Sequence, residues 1–300
     1  MRAVRWEALN SPSDAGCTTR SLRSWPRLGE SPSARRIGAV DPITDVDWVS
    51  HWRDLVVARA AQISDAPQTD FWAQRAATYP TRAEDGDHLM TFLEPWLSPH
   101  KSLLDVGAGT GRYAAPLAER LAWVTAIEPE QLMWERIPDR PNITVIASTL
   151  EDSDPARADL LLCAHVLYPI AEVVPFIKRL EAGGRERVFI ALRDSANAHP
   201  AEAIVPRARV REPRLSDCYM LLRQIGIEPD LILWRQPATY RWPDLESALA
   251  DCRGRVGRDW NPEQGRAFLE SSLVVEPSTG GLVYQSGDNV TGVLHWRPRG

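Results

Sequence analysis

At 300 residues, 44% hydrophobic and 25% charged, the chain has an ordinary globular composition, with room for one large α/β domain or two small ones. A formal net charge of -5 lacks the basic excess of a nucleic-acid binder, and no apolar run is long enough to span a bilayer. The four cysteines (Cys17, Cys163, Cys218 and Cys252) contain no C-x-x-C pair, which argues against a zinc site or disulfide scaffold and fits a reducing cytoplasm.

Residues 1–40 are rich in Ser, Arg, Pro and Gly and show no sustained periodicity, so they read as a disordered extension. They lack the apolar stretch of a secretory signal. From residue 41 the pattern turns helical. Trp48, Trp52, Leu55, Val56 and Arg59 recur at three- and four-residue spacing, with Asp45 or Asp47 as a cap. A second helix is expected over 70–79, carrying Phe71, Trp72, Arg75 and Tyr79, and a third over 87–97.

β-α alternation follows. Strands are expected at 102–106, 123–128, 143–147, 158–164, 187–193 and 231–234, with helices at 113–121, 130–137, 170–180 and 214–225. The run 158–164 (ADLLLCA) is nearly all apolar, as in a central parallel strand covered on both faces, and Cys163 reads there as a small buried hydrophobe. Residues 291–296 (TGVLHW) read as a seventh, antiparallel strand. The 237–290 stretch before it holds two helical patterns, 243–256 and 262–271, and a hairpin of 273–276 with 281–285. It reads as an insertion on the sheet.

The chemistry concentrates at the first strand-to-helix turn. Leu103-Leu104-Asp105-Val106-Gly107-Ala108-Gly109-Thr110-Gly111-Arg112 is an apolar strand followed by D-x-G-x-G-x-G. Glycines at this spacing permit a tight turn and let a ligand lie against bare backbone. A dinucleotide fingerprint would be G-x-G-x-x-G with a pyrophosphate on the helix N-terminus. The acid two residues before the first glycine would repel a pyrophosphate and attract an ammonium group. Glu128, 17 residues past Gly111, ends the second strand, where a carboxylate can accept both hydroxyls of a ribose diol.

LLDVGAGTGRYAAPLA, together with AIEPEQLM over 126–133, resembles the first and second motifs of the class I S-adenosylmethionine-dependent methyltransferases. The resemblance covers residues 70–200 well. It implies a Rossmann-like seven-stranded α/β sheet with helices on both faces, an N-terminal helical lid and a C-terminal insertion before the last strand. On this reading 41–300 is a single domain: helices over 41–100, a cofactor-binding core over 101–236, the insertion over 237–290 and the last strand over 291–296.

The resemblance also assigns roles. S-adenosylmethionine would be held by Asp105 at its ammonium, by backbone at Gly107, Ala108, Gly109 and Gly111, and by Glu128 at the ribose. Pro129 and Met133 of the second motif would lie near the adenine, and Tyr79 near the methionine moiety. After the third strand the family often carries G-D-A-x-x-L. Here Ser148 stands where the acid would be, so Leu150 backbone and the Glu151 side chain take the adenine-reading role. The segment 163–169 would face the transferring methyl, bringing Ala164, His165 and Tyr168 to the reaction, the last two as proton-handling groups. The asparagine-proline signature of nucleic-acid base methylation is absent there.

The resulting expectation is a cytoplasmic methyltransferase with a small-molecule acceptor, no metal, no membrane association and no evident nucleic-acid partner. The alternatives are a protein or RNA methyltransferase, a degenerate methyltransferase-fold scaffold, and a nicotinamide oxidoreductase. The glycine spacing disfavours the last.

Overall fold

A computed structural model describes residues 45–63, 79–83, 86–195, 199–205 and 210–299. The expected helix over 70–79 therefore falls, apart from Tyr79, outside the described residues, as do Trp72, Arg75 and the whole of 1–40.

The sheet runs β3 (Ile143–Ile146), β2 (Trp123–Ile127), β1 (Ser102–Val106), β4 (Ala158–Ala164), β5 (Gly184–Arg193), β8 (Leu282–Trp296) and β6 (Asp230–Trp242), with the short β7 (Val274–Val275) pairing with β8. β1 to β5 pair in parallel, and β8 is antiparallel to both β5 and β6. Side chains alternate along each strand, and both faces of the central strands β1, β4 and β5 are largely buried. Leu104, Val106, Leu161, Cys163, Val188 and Ile190 point to one core, while Leu103, Leu160, Leu162, Phe189 and Ala191 point to the other.

The first face is covered by α1 (Trp48–Ile63), α5 (Val173–Gly183) and α7 (Leu215–Gln224). The second is covered by α2 (His88–Leu93) and α3 (Ala114–Ala118), while the short α4 (Gln131–Trp134) follows β2. Trp52 is fully buried, and its indole N–H donates to the Ile170 carbonyl at 2.8 Å. Hence α1, expected among helices lying over the cofactor, is seated on the sheet face, as an amphipathic helix with two buried-side tryptophans should be.

Asp217 ties this face together. Its side chain is 5% exposed, accepts from the Arg211 guanidinium at 2.8 Å, and accepts from the Arg214 N–H that opens α7 at 2.8 Å. Removing one partner of such a pair leaves an uncompensated charge. Asp217→Ala is therefore expected to lower stability by about 3 kcal/mol, read as a reduced urea midpoint at unchanged slope. An unchanged midpoint would show that the pair contributes nothing.

The boundaries expected at 236/237 and 290/291 fall inside strands. β6 and β8 continue past the sheet as one long ribbon, paired from Asp230↔His295 to Trp242↔Leu282, with a bulge at Pro237/Thr239. Proline and the Ser286-Gly287-Asp288 run suggest breaks in sequence, yet a bulge accommodates both without ending the pairing. At the far end of the ribbon α6 (Pro200–Ile204), α8 (Leu245–Val256) and α9 (Pro262–Ser272) pack around Trp242, Ala248, Cys252 and Leu269. Asp251 anchors this small core, accepting from the Trp242 indole at 3.1 Å and the Arg255 guanidinium at 2.9 Å, with His199 Nε2 at 3.1 Å.

Candidate active site

The turn after β1 is built as its glycines require. Gly107, Gly109 and Gly111 have φ of 70°, 57° and 80°. Gly107 and Ala108 both donate their N–H to the Ile127 carbonyl, at 2.8 and 3.0 Å, which closes the loop against the end of β2. At Gly107 an added Cβ would collide with Val166, whereas at Gly109 it would meet nothing within 4 Å. One glycine is needed for packing inside the protein. The other leaves bare backbone facing open space.

Asp105, on β1, is 2% exposed, and its Oδ2 has no hydrogen-bond partner. The carboxyl accepts from the backbone N–H of Ala114. Burial, and secondarily the nearby Glu128 charge, pushes it up to about 7. A buried carboxylate oxygen without a donor is costly and therefore marks a place where a donor is missing. Glu128 is 9% exposed and accepts from Gly109 N–H at 2.8 Å and from Glu130 N–H at 3.0 Å. Burial raises it as well. Each of its oxygens keeps acceptor capacity for a further donor.

A second strip of chain seals the turn. Thr110 donates its hydroxyl to the Pro80 carbonyl at 2.6 Å, and Ala83 N–H donates to the Arg112 carbonyl at 3.0 Å. This brings Tyr79 into the electrostatic neighbourhood of Arg112 and Tyr113. Arg112 donates to Asp87 at 2.9 Å, while its Nε is buried and unpaired. Asp87 also caps α2, accepting from Leu89 and Met90 N–H at 2.9 and 3.1 Å.

Beyond β4, His165 is the one non-glycine residue with positive φ among those described, at 62°. Its N–H donates to the Ala191 carbonyl at 2.8 Å, holding the strained residue against β5. Its Nδ1 lies 3.0 Å from the Tyr168 hydroxyl, which accepts the Arg193 N–H at 2.8 Å. The Tyr168 hydroxyl thus engages Nδ1 and leaves Nε2 as the ring nitrogen without a protein partner among the described residues. Burial, then the charges of Arg193 and Arg112, holds the imidazole down at about 4, so it is neutral at physiological pH.

The remaining candidates divide by exposure. Pro129 is exposed, Met133 buried and Ala164 half-buried. Leu150 is buried, and its carbonyl accepts from Arg179 Nε and Nη2 at 3.1 and 2.8 Å, which fixes the loop after β3. Glu151 is exposed. No group of three or more metal-ligating side chains occurs among the described residues.

Residues 104–182, the stretch containing this turn, β2, β3, β4 and most of α5, match the methyltransferase-domain family. Over that stretch the chain is similar to a methyltransferase domain. A candidate methyltransferase from an antibiotic biosynthesis pathway of Anabaena variabilis is 16% identical, with 72% of this chain and 99% of that one covered at a TM-score of 0.52. A candidate methyltransferase from Bacillus halodurans is 15% identical over 71% and 99%, at a TM-score of 0.47. None of the curated proteins compared matches the chain.

Three contributors to this candidate site were not singled out by the sequence. Val166 matters because it backs Gly107, Asp87 because it links α2 to Arg112, and Arg193 because its backbone and side chain reach Tyr168. Each depends on a contact between segments distant in sequence. The signal available was weak: an acid preceding a helical pattern, and an arginine ending an apolar strand.

Proposed function

We propose that this methyltransferase binds S-adenosylmethionine across the carboxyl ends of β1 and β2 and methylates a small-molecule acceptor. The observation that carries the reading is Asp105: a buried carboxylate oxygen without a donor, beside a glycine turn whose central Cβ position is open. An α-ammonium group supplies the donor that oxygen lacks. The bare backbone of Gly107, Ala108, Gly109 and Gly111 would take the amino-acid portion, and Tyr79 would lie beside it. Glu128 would accept the ribose hydroxyls. Pro129, Met133, Leu150 and Glu151 would surround the adenine.

The cofactor supplies a sulfonium methyl already activated for in-line displacement, so alignment and exclusion of water are most of what the protein must add. His165 and Tyr168 are the polar groups on the acceptor side. With Nδ1 engaged by Tyr168, His165 Nε2 would be the nitrogen that meets an acceptor oxygen or nitrogen and handles its proton. Ala164 would pack beside the methyl. The described residues contain no helix long and apolar enough to cross a membrane, and Cys163, Cys218 and Cys252 are free, which suits a cytoplasmic enzyme.

Calorimetry with S-adenosylmethionine and S-adenosylhomocysteine, with NAD as control, tests the assignment. Both sulfur ligands are expected to bind and NAD is not. Glu128→Ala is expected to weaken binding by about tenfold or more. Failure of the intact, folded protein to bind either ligand would replace this reading with a scaffold role for the fold.

A further inference from the structure

Arg193 stands where the core sheet passes into the ribbon, at the carboxyl end of β5 opposite Thr291. It is half-buried, and its guanidinium carbon lies 5.8 Å from the Tyr168 ring centroid. The Tyr168 hydroxyl lies 3.0 Å from His165 Nδ1 and accepts the Arg193 backbone N–H at 2.8 Å, so Tyr168 links the arginine to the imidazole. No carboxylate among the described residues pairs with it. By contrast Arg211, Arg241 and Arg255, on the segments following β5, are each paired, with Asp217, Glu276 and Asp251.

A polar cleft of roughly 420 Å³ runs along the ribbon, lined by Gln236, Thr239, Tyr240, Arg241, Gln285 and Asn289. The Ser195 hydroxyl donates to Asn289 Oδ1 at 3.2 Å, tying the wall of that cleft to the segment just after Arg193. A half-buried guanidinium without a carboxylate has already lost part of its hydration, and a planar oxyanion matches its donor geometry.

From these contacts we infer that Arg193 is the specificity-determining residue of the acceptor pocket, and that the acceptor carries an oxyanion, a carboxylate or phosphate, which this guanidinium binds. The inference takes the identity of the pocket as an acceptor site from the methyltransferase reading. Its physical content is separate: an anion-selective site at the Arg193 guanidinium, beside the Tyr168 ring. The tyrosine ring would flank the organic part of the acceptor while Arg193 fixes its charged end, leaving His165 to meet the reacting atom.

The probes are benzoate, phenyl phosphate and neutral benzamide, titrated calorimetrically into the full chain with and without S-adenosylhomocysteine. At least one anion is expected to bind about tenfold or more tightly than benzamide. The preference should disappear in Arg193→Met and persist in part in Arg193→Lys. The stronger anion distinguishes a carboxylate from a phosphate acceptor. Circular dichroism checks folding, and unchanged S-adenosylhomocysteine binding in both variants separates acceptor recognition from the cofactor site. Equal or undetectable binding of charged and neutral probes, or an anion preference surviving in Arg193→Met, overturns the inference. Loss of S-adenosylhomocysteine binding by the unaltered protein overturns the methyltransferase reading instead, and the anion preference is then read from the titrations without it.

Discussion

Asp105→Asn is expected to weaken S-adenosylhomocysteine binding by about a hundredfold and to abolish a proton release that accompanies binding near pH 6. The carboxyl stands at about 7 because burial, and then the Glu128 charge, disfavours its ionised form. An ammonium group placed at the unpaired Oδ2 favours the carboxylate, so below pH 7 binding must expel the proton that Asp105 holds. Titration in two buffers of different ionisation enthalpy measures that proton directly. Identical heats in both buffers for the intact protein would sink the assignment.

The same residue has a stability signature. Its folded value is raised from the ordinary 3.8, so the unfolded chain loses this proton first. The contribution is fully present below pH 4 and is lost as pH rises to about 7, with an upper bound of roughly 4 kcal/mol. The ligand-free Asn variant should lack this slope and be more stable than the parent above pH 7. Stability gained and binding lost in one substitution would mark Asp105 as retained for the ligand's sake.

The glycine turn separates two effects that one loop usually confounds. Gly107→Ala is expected to cost about 3 kcal/mol, from a Cβ forced against Val166 added to the strain of positive φ. Gly109→Ala meets no atom and should cost about 1 kcal/mol from its backbone alone, yet it should impair S-adenosylhomocysteine binding severely. Thermal unfolding and calorimetry on the pair read the two axes. Adding Val166→Ala to Gly107→Ala should recover the collision part of its loss and leave the φ part. Equal destabilisation by the two alanines, or unaltered ligand binding in Gly109→Ala, would contradict this division.

These expectations were within reach of the sequence because the turn is local. Leu103 to Arg112 encodes its own conformation: an apolar strand, an acid, and glycines at the positions with φ above 50°. The succession of parallel strands also followed from the β-α alternation, with the apolar run at 158–164 marking a central one. What escaped was non-local. The spacing of Trp48 and Trp52 favoured a packing role for the first N-terminal helix, but its docking point, the Trp52–Ile170 bond between residues far apart in sequence, was not legible. Pro237 and Ser286-Gly287-Asp288 carry strong local signals for a break, while the pairing of β6 with β8 across them is enforced by partners forty or more residues away. Arg193 looked like the end of a strand because nothing nearby in sequence shows that Tyr168 stacks against it.

Synthesis order and assembly order differ in this chain. A ribosome that has finished Trp242 has made β1 through β6, but β6 pairs with nothing except β8, which has yet to be translated. Until residues 291–296 arrive and wedge between β5 and β6, the emerging polypeptide carries two open strand edges, and Leu231, Ile232 and Leu233 sit on one of them. Such edges are sticky toward other copies during the wait. Slow codons placed between Trp242 and Leu282 would therefore prolong that exposure without changing a single amino acid.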